Sequence, residues 1–158
     1  MKKIFYITTP IYYVNDKPHI GHAYTTILAD VLARYYRSIN YKTFFLTGLD
    51  EHGQKVQQAA ELRGIKPKDH CDQMAPRFIK LWKKLHISNN DFIRTTEKRH
   101  YKAVLDIWSR LEKSKDIYLS KYKGWYSVSD EAYYDKEEIE TKNNVKIAKS
   151  SGSKVEWV

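Results

Sequence analysis

Apolar positions in the first fifty residues switch between two periods. Residues 3–8 form a short apolar run that predicts a strand. Between residues 19 and 39, Ile20, Tyr24, Ile27, Leu28, Val31, Leu32 and Tyr35 recur three and four apart, the period of a helix with one apolar face. Residues 42–47 (Lys-Thr-Phe-Phe-Leu-Thr) read as a buried second strand closed by Gly48. Strand, helix and strand in so short a span predict a βαβ unit, with parallel strands and a right-handed crossover. Ligands of such sheets gather beyond the carboxyl ends of the strands. That geometry sets the loop 9–18 beside the segment Gly48–Gly53.

The alternation continues downstream. Residues 54–63 predict a short helix ended by Gly64. A longer one opens at Lys66-Pro67 and runs to about Leu85, with Met74, Phe78, Leu81, Trp82 and Leu85 on one face. Asp91–Thr95 reads as a third strand. Residues 97–114 read as a helix striped by Tyr101, Val104, Leu105, Trp108 and Leu111. From Ile117 the chain becomes aromatic-rich and turn-broken, then polar over residues 137–154. The expected division is therefore 1–116 and 117–158. The fold class is α/β: the first half of a Rossmann-like parallel sheet with flanking helices, then part of a small β-rich domain. A strand beginning at Val155–Val158 leads us to expect a piece of a longer protein.

Composition is that of a soluble domain, 42% hydrophobic and 30% charged, with no apolar run of membrane-spanning length and no signal-peptide pattern. A lone cysteine, Cys71, excludes an internal disulfide and fits a reducing cytoplasm. The net charge of +9 permits a polyanionic partner, but the charge is dispersed along the chain.

His19 and His22 fall on the first turn of the first helix, where unpaired amides and the helix dipole favour an anion. Gly21 between them allows close approach to the backbone. Three readings of the pair are open: solvated helix-start residues, a metal site completed by Asp50, Glu51 or His52, or donors to a reacting phosphoryl group. The strand–loop–helix setting favours the third.

Three blocks carry a resemblance. They are Thr8-Thr9-Pro10-Ile11-Tyr12-Tyr13-Val14-Asn15, Pro18-His19-Ile20-Gly21-His22-Ala23-Tyr24-Thr25-Thr26, and Phe45-Leu46-Thr47-Gly48 followed by Asp50-Glu51-His52-Gly53-Gln54-Lys55. Together they closely resemble the bacterial methionyl-tRNA synthetases, over essentially the whole chain. The resemblance implies that methionine's carboxylate attacks the α-phosphate of ATP, accompanied by Mg2+, and that the methionyl group then passes to tRNA(Met). By position, His19 and His22 would be catalytic, each donor worth ~3 kcal/mol at the α-phosphate. His19, Gly21 and His22 would bind ATP. Ile11, Tyr13 and Asp50 would bind methionine, with Tyr12, Asn15 and His52 in support.

Two departures from the family pattern bear on function. Where many members carry Cys-x-x-Cys pairs holding zinc, this chain has Ser127 and Asp130. The second unit, the family's inserted (connective-peptide) domain, is therefore expected to hold a zinc-free knuckle packed by Trp125, Tyr133 and Tyr134, and no metal is expected elsewhere. The Lys-Met-Ser-Lys-Ser-type loop is absent, and Lys149–Lys154 reads as a flexible loop instead. The leading expectation is thus a methionine–tRNA ligase piece, inactive alone, with a complementing C-terminal fragment as partner. The alternatives are a non-catalytic remnant that binds nucleotide or tRNA weakly, and a metal hydrolase built on His19, His22 and His52.

Overall fold

The computed structural model describes residues 3–158, which divide into two compact units, one reaching to Ser109 and the other running from Arg110 to Val158. In the first unit, β1 (Ile4–Tyr13), β2 (Lys42–Asp50) and β3 (Asp91–Arg94) form a sheet in the order β1-β2-β3, and both pairings are parallel. This is the strand order of one half of a doubly wound sheet. Four helices accompany it: α1 (Ile20–Ser38), α2 (Gln54–Glu61), α3 (Pro67–Lys84) and α4 (Lys98–Lys113), whose last turn crosses the division.

β1 is longer than its hydrophobic run predicts, because Pro10 does not end it. The β1–β2 register shifts between Thr8 and Ile11, an irregularity that accommodates a proline lacking its N–H. The shift also changes which side chains face inward: beyond it Tyr12 and Val14 are buried, while Ile11 and Tyr13 point outward. Gly48 likewise lies inside β2 rather than closing it. A Cβ there would sit 2.1 Å from the Ile93 carbonyl oxygen, so only glycine lets β2 and β3 approach.

The core lies where α3 packs on the carboxyl ends of the strands. Met74, Phe78 and Trp82 join Tyr12, Val14, Leu49, Val56 and Cys71, with Leu81 and Leu85 packed alongside. The predicted α3 stripe is therefore the packed one. That of α1 is not: Ile20 is 87% and Tyr24 71% exposed, and Ile27, Leu28, Val31, Leu32 and Tyr35 are exposed too. The buried face of α1 is Thr26, Ala29, Asp30 and Ala33. Small side chains let the helix close on Phe45 and Ile7, and Asp30 accepts the Ser88 N–H at 2.7 Å. α4 buries no residue fully.

The second unit pairs β4 (Trp125–Ser127) with β5 (Ala132–Tyr134) and β8 (Glu156–Trp157), all antiparallel, and forms a separate hairpin of β6 (Ile139–Lys142) and β7 (Val145–Ala148). The hairpin turns on Asn143 and Asn144, both at positive φ, as a two-residue turn of the primed type requires.

Candidate functional site

The start of α1 is closed by its own histidines. Nδ1 of His19 accepts the Gly21 N–H at 3.1 Å, and Nδ1 of His22 accepts the His19 N–H at 3.1 Å. A capping box made from two imidazoles fixes the tautomer of both. Each Nδ1 is an acceptor, so each neutral ring carries its proton on Nε2. Gly21 serves this arrangement, since a Cβ there would meet the His19 ring at 3.0 Å. The rings lie 3.8 Å apart between centroids. Burial, reinforced by the neighbouring His19, holds the His22 pKa below 6.5 and favours the neutral donor form. The first turn carries no acidic residue. The pair thus offers Nε2–H donors at the positive end of a helix dipole, which suits an anion.

Tyr12 supports this end from below. Its hydroxyl lies 2.9 Å from the Thr26 Oγ1, which donates to the His22 carbonyl at 2.9 Å, and its ring meets His22 edge-on at 4.8 Å. Phe78 also meets the same imidazole edge-on, at 5.4 Å between centroids. Ile11, Tyr12, Tyr13, Asn15, His19 and His22 line one open cleft of about 520 Å3, joined by Asp16 and Lys17, two residues the sequence reading did not single out.

The other end is set by strand register. Ile11 pairs with Gly48 and Tyr13 with Asp50, so the exposed side chains leaving β1 stand beside the carboxylate that ends β2. Asp50 itself is partly exposed, and its Oδ1 accepts the His52 N–H at 3.3 Å. Glu51 points the opposite way. Its carboxylate is fully buried, receives Arg94 Nε at 2.6 Å and is also bound by the Thr96 hydroxyl. Arg94 reaches on to Asp72, whose carboxyl is held below the usual range by hydrogen bonds from Lys68 and Arg94. Burial, with Glu51 nearby, pushes the Cys71 thiol up to about 11, so this cysteine is an inert core residue.

His52 does not join the histidine pair. Its ring nitrogens contact Thr95 Oγ1 at 2.9 Å and Tyr101 OH at 3.1 Å. Among the described residues no three His, Cys, Asp or Glu side chains gather as a metal site, which removes the support for the hydrolase reading.

The profile described as tRNA synthetases class I (M) matches residues 5–157. The chain belongs to this class I tRNA synthetase family. A methionine–tRNA ligase of Thermotoga maritima is 49% identical over 98% of this chain, and one of Rickettsia bellii is 52% identical over 100%. The chain spans 24% and 30% of those two relatives. A solved Mycobacterium tuberculosis methionyl-tRNA synthetase in complex with methionyl-adenylate superposes with a TM-score of 0.90 at 39% identity, over 100% of this chain and 31% of that one. A leucyl synthetase in a ternary complex, at 19% identity and a TM-score of 0.75, shares the fold. The chain therefore has the Rossmann-like fold of the class I synthetases.

In the second unit the zinc question turns on Asp130. Its carboxylate accepts hydroxyls from Tyr134 at 2.8 Å, Ser151 at 2.6 Å and Ser153 at 2.7 Å, and its N–H donates to Ser127 Oγ at 3.2 Å. The Ser151 and Ser153 hydrogen bonds lead in drawing the Asp130 pKa down to about 2. Structural zinc is held by sets of cysteine and histidine; here a single carboxylate stands among hydroxyls that donate to it, a set that does not fit the ion. The same bonds tie down the segment Lys149–Lys154, which the sequence alone reads as flexible. Trp125 packs on Trp157, and Tyr133 on Tyr122 and Tyr126, while Tyr134 serves the hub through its hydroxyl. Among the described residues, no helix is long and apolar enough to cross a membrane.

Proposed function

We propose that this chain supplies the amino-acid-activating half-site of a cytoplasmic methionine–tRNA ligase. Asp50, with the Ile11 carbonyl, holds the methionine ammonium, and Tyr13 lines the amino-acid side of the cleft. His19, Gly21 and His22 bind ATP, brought in as its Mg2+ complex. Asn15, Tyr12 and His52 support the two ends. A methionine carboxylate oxygen forms a bond to the α-phosphorus as the bond to pyrophosphate breaks, giving methionyl-adenylate. The 3′-terminal hydroxyl of tRNA(Met) then takes the methionyl group and AMP leaves. As the α-phosphate becomes pentacoordinate, the two Nε2–H donors stabilise its added charge without themselves changing protonation.

The observation carrying this reading is the pairing of a partly exposed carboxylate, Asp50 beside Tyr13, with an Nε2–H pair at a helix start whose first turn bears no acidic residue. One accepts an ammonium and the other donates to a phosphate, as an α-amino acid meeting ATP requires. The exposed apolar stripe of α1 and the free edge of β1 support a complementing C-terminal fragment as partner, since the next strand of a doubly wound sheet adds beside the first. Residues 117–158 are the inserted domain, with an Asp130-centred, zinc-free knuckle.

ATP–pyrophosphate exchange with methionine tests the assignment. The chain alone is expected to show none, and exchange is expected when a fragment bearing the Lys-Met-Ser-Lys-Ser-type loop is supplied. Robust exchange by the chain alone sinks the half-site reading. ATP or tRNA binding that never becomes exchange with any complementing fragment favours the non-catalytic remnant.

A further inference from the structure

One buried threonine touches three chain positions around Asp50. Thr95 follows β3 and is 4% exposed. Its N–H donates to the Leu49 carbonyl at 3.2 Å. Its Oγ1 accepts the Glu51 N–H at 2.9 Å and lies 2.9 Å from His52 Nδ1. The residue before Asp50 and the two after it are thus tied to one side chain and its backbone. Asp50 in turn takes its carboxylate direction from the His52 N–H.

A hydroxyl has one hydrogen and two lone pairs. The Glu51 N–H occupies one lone pair of Thr95, which leaves the second lone pair and the hydrogen to meet His52 Nδ1. Nε2 of the same ring lies 3.1 Å from the Tyr101 hydroxyl on α4. The ring is therefore held between two hydroxyls in one tautomer: Nε2–H where Thr95 donates to Nδ1, Nδ1–H where Thr95 accepts from it.

We propose that Thr95 is the positioning residue for the Asp50 carboxylate, acting through the Glu51 amide and the His52 ring, with Tyr101 fixing the far side of that ring. The role in catalysis rests on the assignment of Asp50 to the methionine ammonium. Among the described residues the Thr95 hydrogen bonds lead to Leu49, Glu51 and His52, around Asp50, so its loss acts on the amino-acid end and spares the nucleotide end. Asp50 is the group that meets substrate; Thr95 holds it.

Thr95→Val keeps the volume, removes the hydroxyl and leaves the Glu51 amide without its acceptor; Thr95→Ser restores the hydroxyl. Tyr101 is 46% exposed, so Tyr101→Phe tests the brace without disturbing the core. The first measurement is nitrogen-15 NMR of the histidine rings in the ligand-free chain. His52 is expected as a single tautomer in the parent chain, averaged in Thr95→Val, recovered in Thr95→Ser, and moved at Nε2 alone in Tyr101→Phe. The second is calorimetric titration with methionine and, separately, ATP. Thr95→Val is expected to weaken methionine on the order of tenfold, the scale of one buried hydrogen bond, with ATP unchanged and Thr95→Ser close to the parent.

Unchanged His52 tautomer and methionine affinity in Thr95→Val overturn the proposal. Equal weakening of methionine and ATP also overturns it, by showing general damage. A parent chain that binds no methionine speaks against the functional assignment, and the ring spectra then decide the brace alone.

Discussion

The two ends of the site are held by opposite means. His19 and His22 hold each other at an exposed helix start, through bonds to backbone amides within four residues of chain. Asp50 is held from beneath, by partners more than forty residues away in sequence: the Arg94–Glu51 pair and the Thr95 contacts. The first arrangement is local, partly wet and sensitive to protons on its own rings. The second is buried and paired, and it depends on β2 and β3 lying in register, with Leu49 opposite Arg94. Phosphate recognition therefore needs a particular helix start, whereas ammonium recognition needs the tertiary fold.

The largest expected effect comes from breaking the buried pair. Arg94→Met leaves the Glu51 carboxylate, fully buried, with the Thr96 hydroxyl as its one remaining side-chain partner among the described residues. Urea denaturation should show a loss of ~3–5 kcal/mol, the cost of a buried charge deprived of its partner. A loss below ~1 kcal/mol would place this pair with surface ion pairs and dissolve the contrast. Gly48→Ala should act through the same register at about 1–3 kcal/mol, since its Cβ would meet the Ile93 carbonyl oxygen at 2.1 Å and drive β3 off β2. Its signature in hydrogen exchange is faster exchange of the Thr95 and Glu51 amides, with the α1 amides unmoved.

That division also explains what sequence reading reached. The histidine pair is legible because a helix start, a glycine and two imidazoles are neighbours in the chain. Asp50 is legible because the βαβ crossover carries it to the same edge of the sheet. Thr95 carries no local signal: it is a threonine at a strand end, and only the fold brings it under Asp50. The α1 stripe shows a further limit. Periodicity correctly gives a helix, but the face packed on the strands is the one with Thr26, Ala29, Asp30 and Ala33, where small side chains permit close approach. For α3 the apolar face and the packed face coincide, so the same argument succeeds there. β1 runs past Pro10 because an irregular register absorbs the missing N–H, which no pattern of hydrophobicity reports.

Removing one imidazole sharpens the comparison at a smaller scale. His22→Ala should cost about 1 kcal/mol, the usual worth of a cap, with some added loss of ring contact to Tyr12 and Phe78. His22→Glu restores an acceptor at the capping-box position and offers no N–H donor. It should recover most of the stability and none of the adenylate-forming rate in the complemented enzyme. If glutamate restores both, the histidine is needed as a cap and not as a donor.

The smallest effect is the most diagnostic, because only one end of the site should respond. His22 has its pKa lowered below 6.5 in the folded chain, by burial first and by His19 second. Below about 6.5 the unfolded imidazole takes up its proton before the folded one does, so stability falls with pH across that window and levels off below the folded value. Protonation puts a hydrogen on Nδ1, which then cannot accept the His19 N–H, and the capping box opens. Thermal melts from pH 7.5 to 5 should show a shallow decline that disappears in His22→Gln. Over the same range the Arg94–Glu51 brace should hold, with the Glu51 and Thr95 amides keeping their exchange protection while the His19 amide loses it. Equal loss at both ends would mean that the cap and the brace open as one unit.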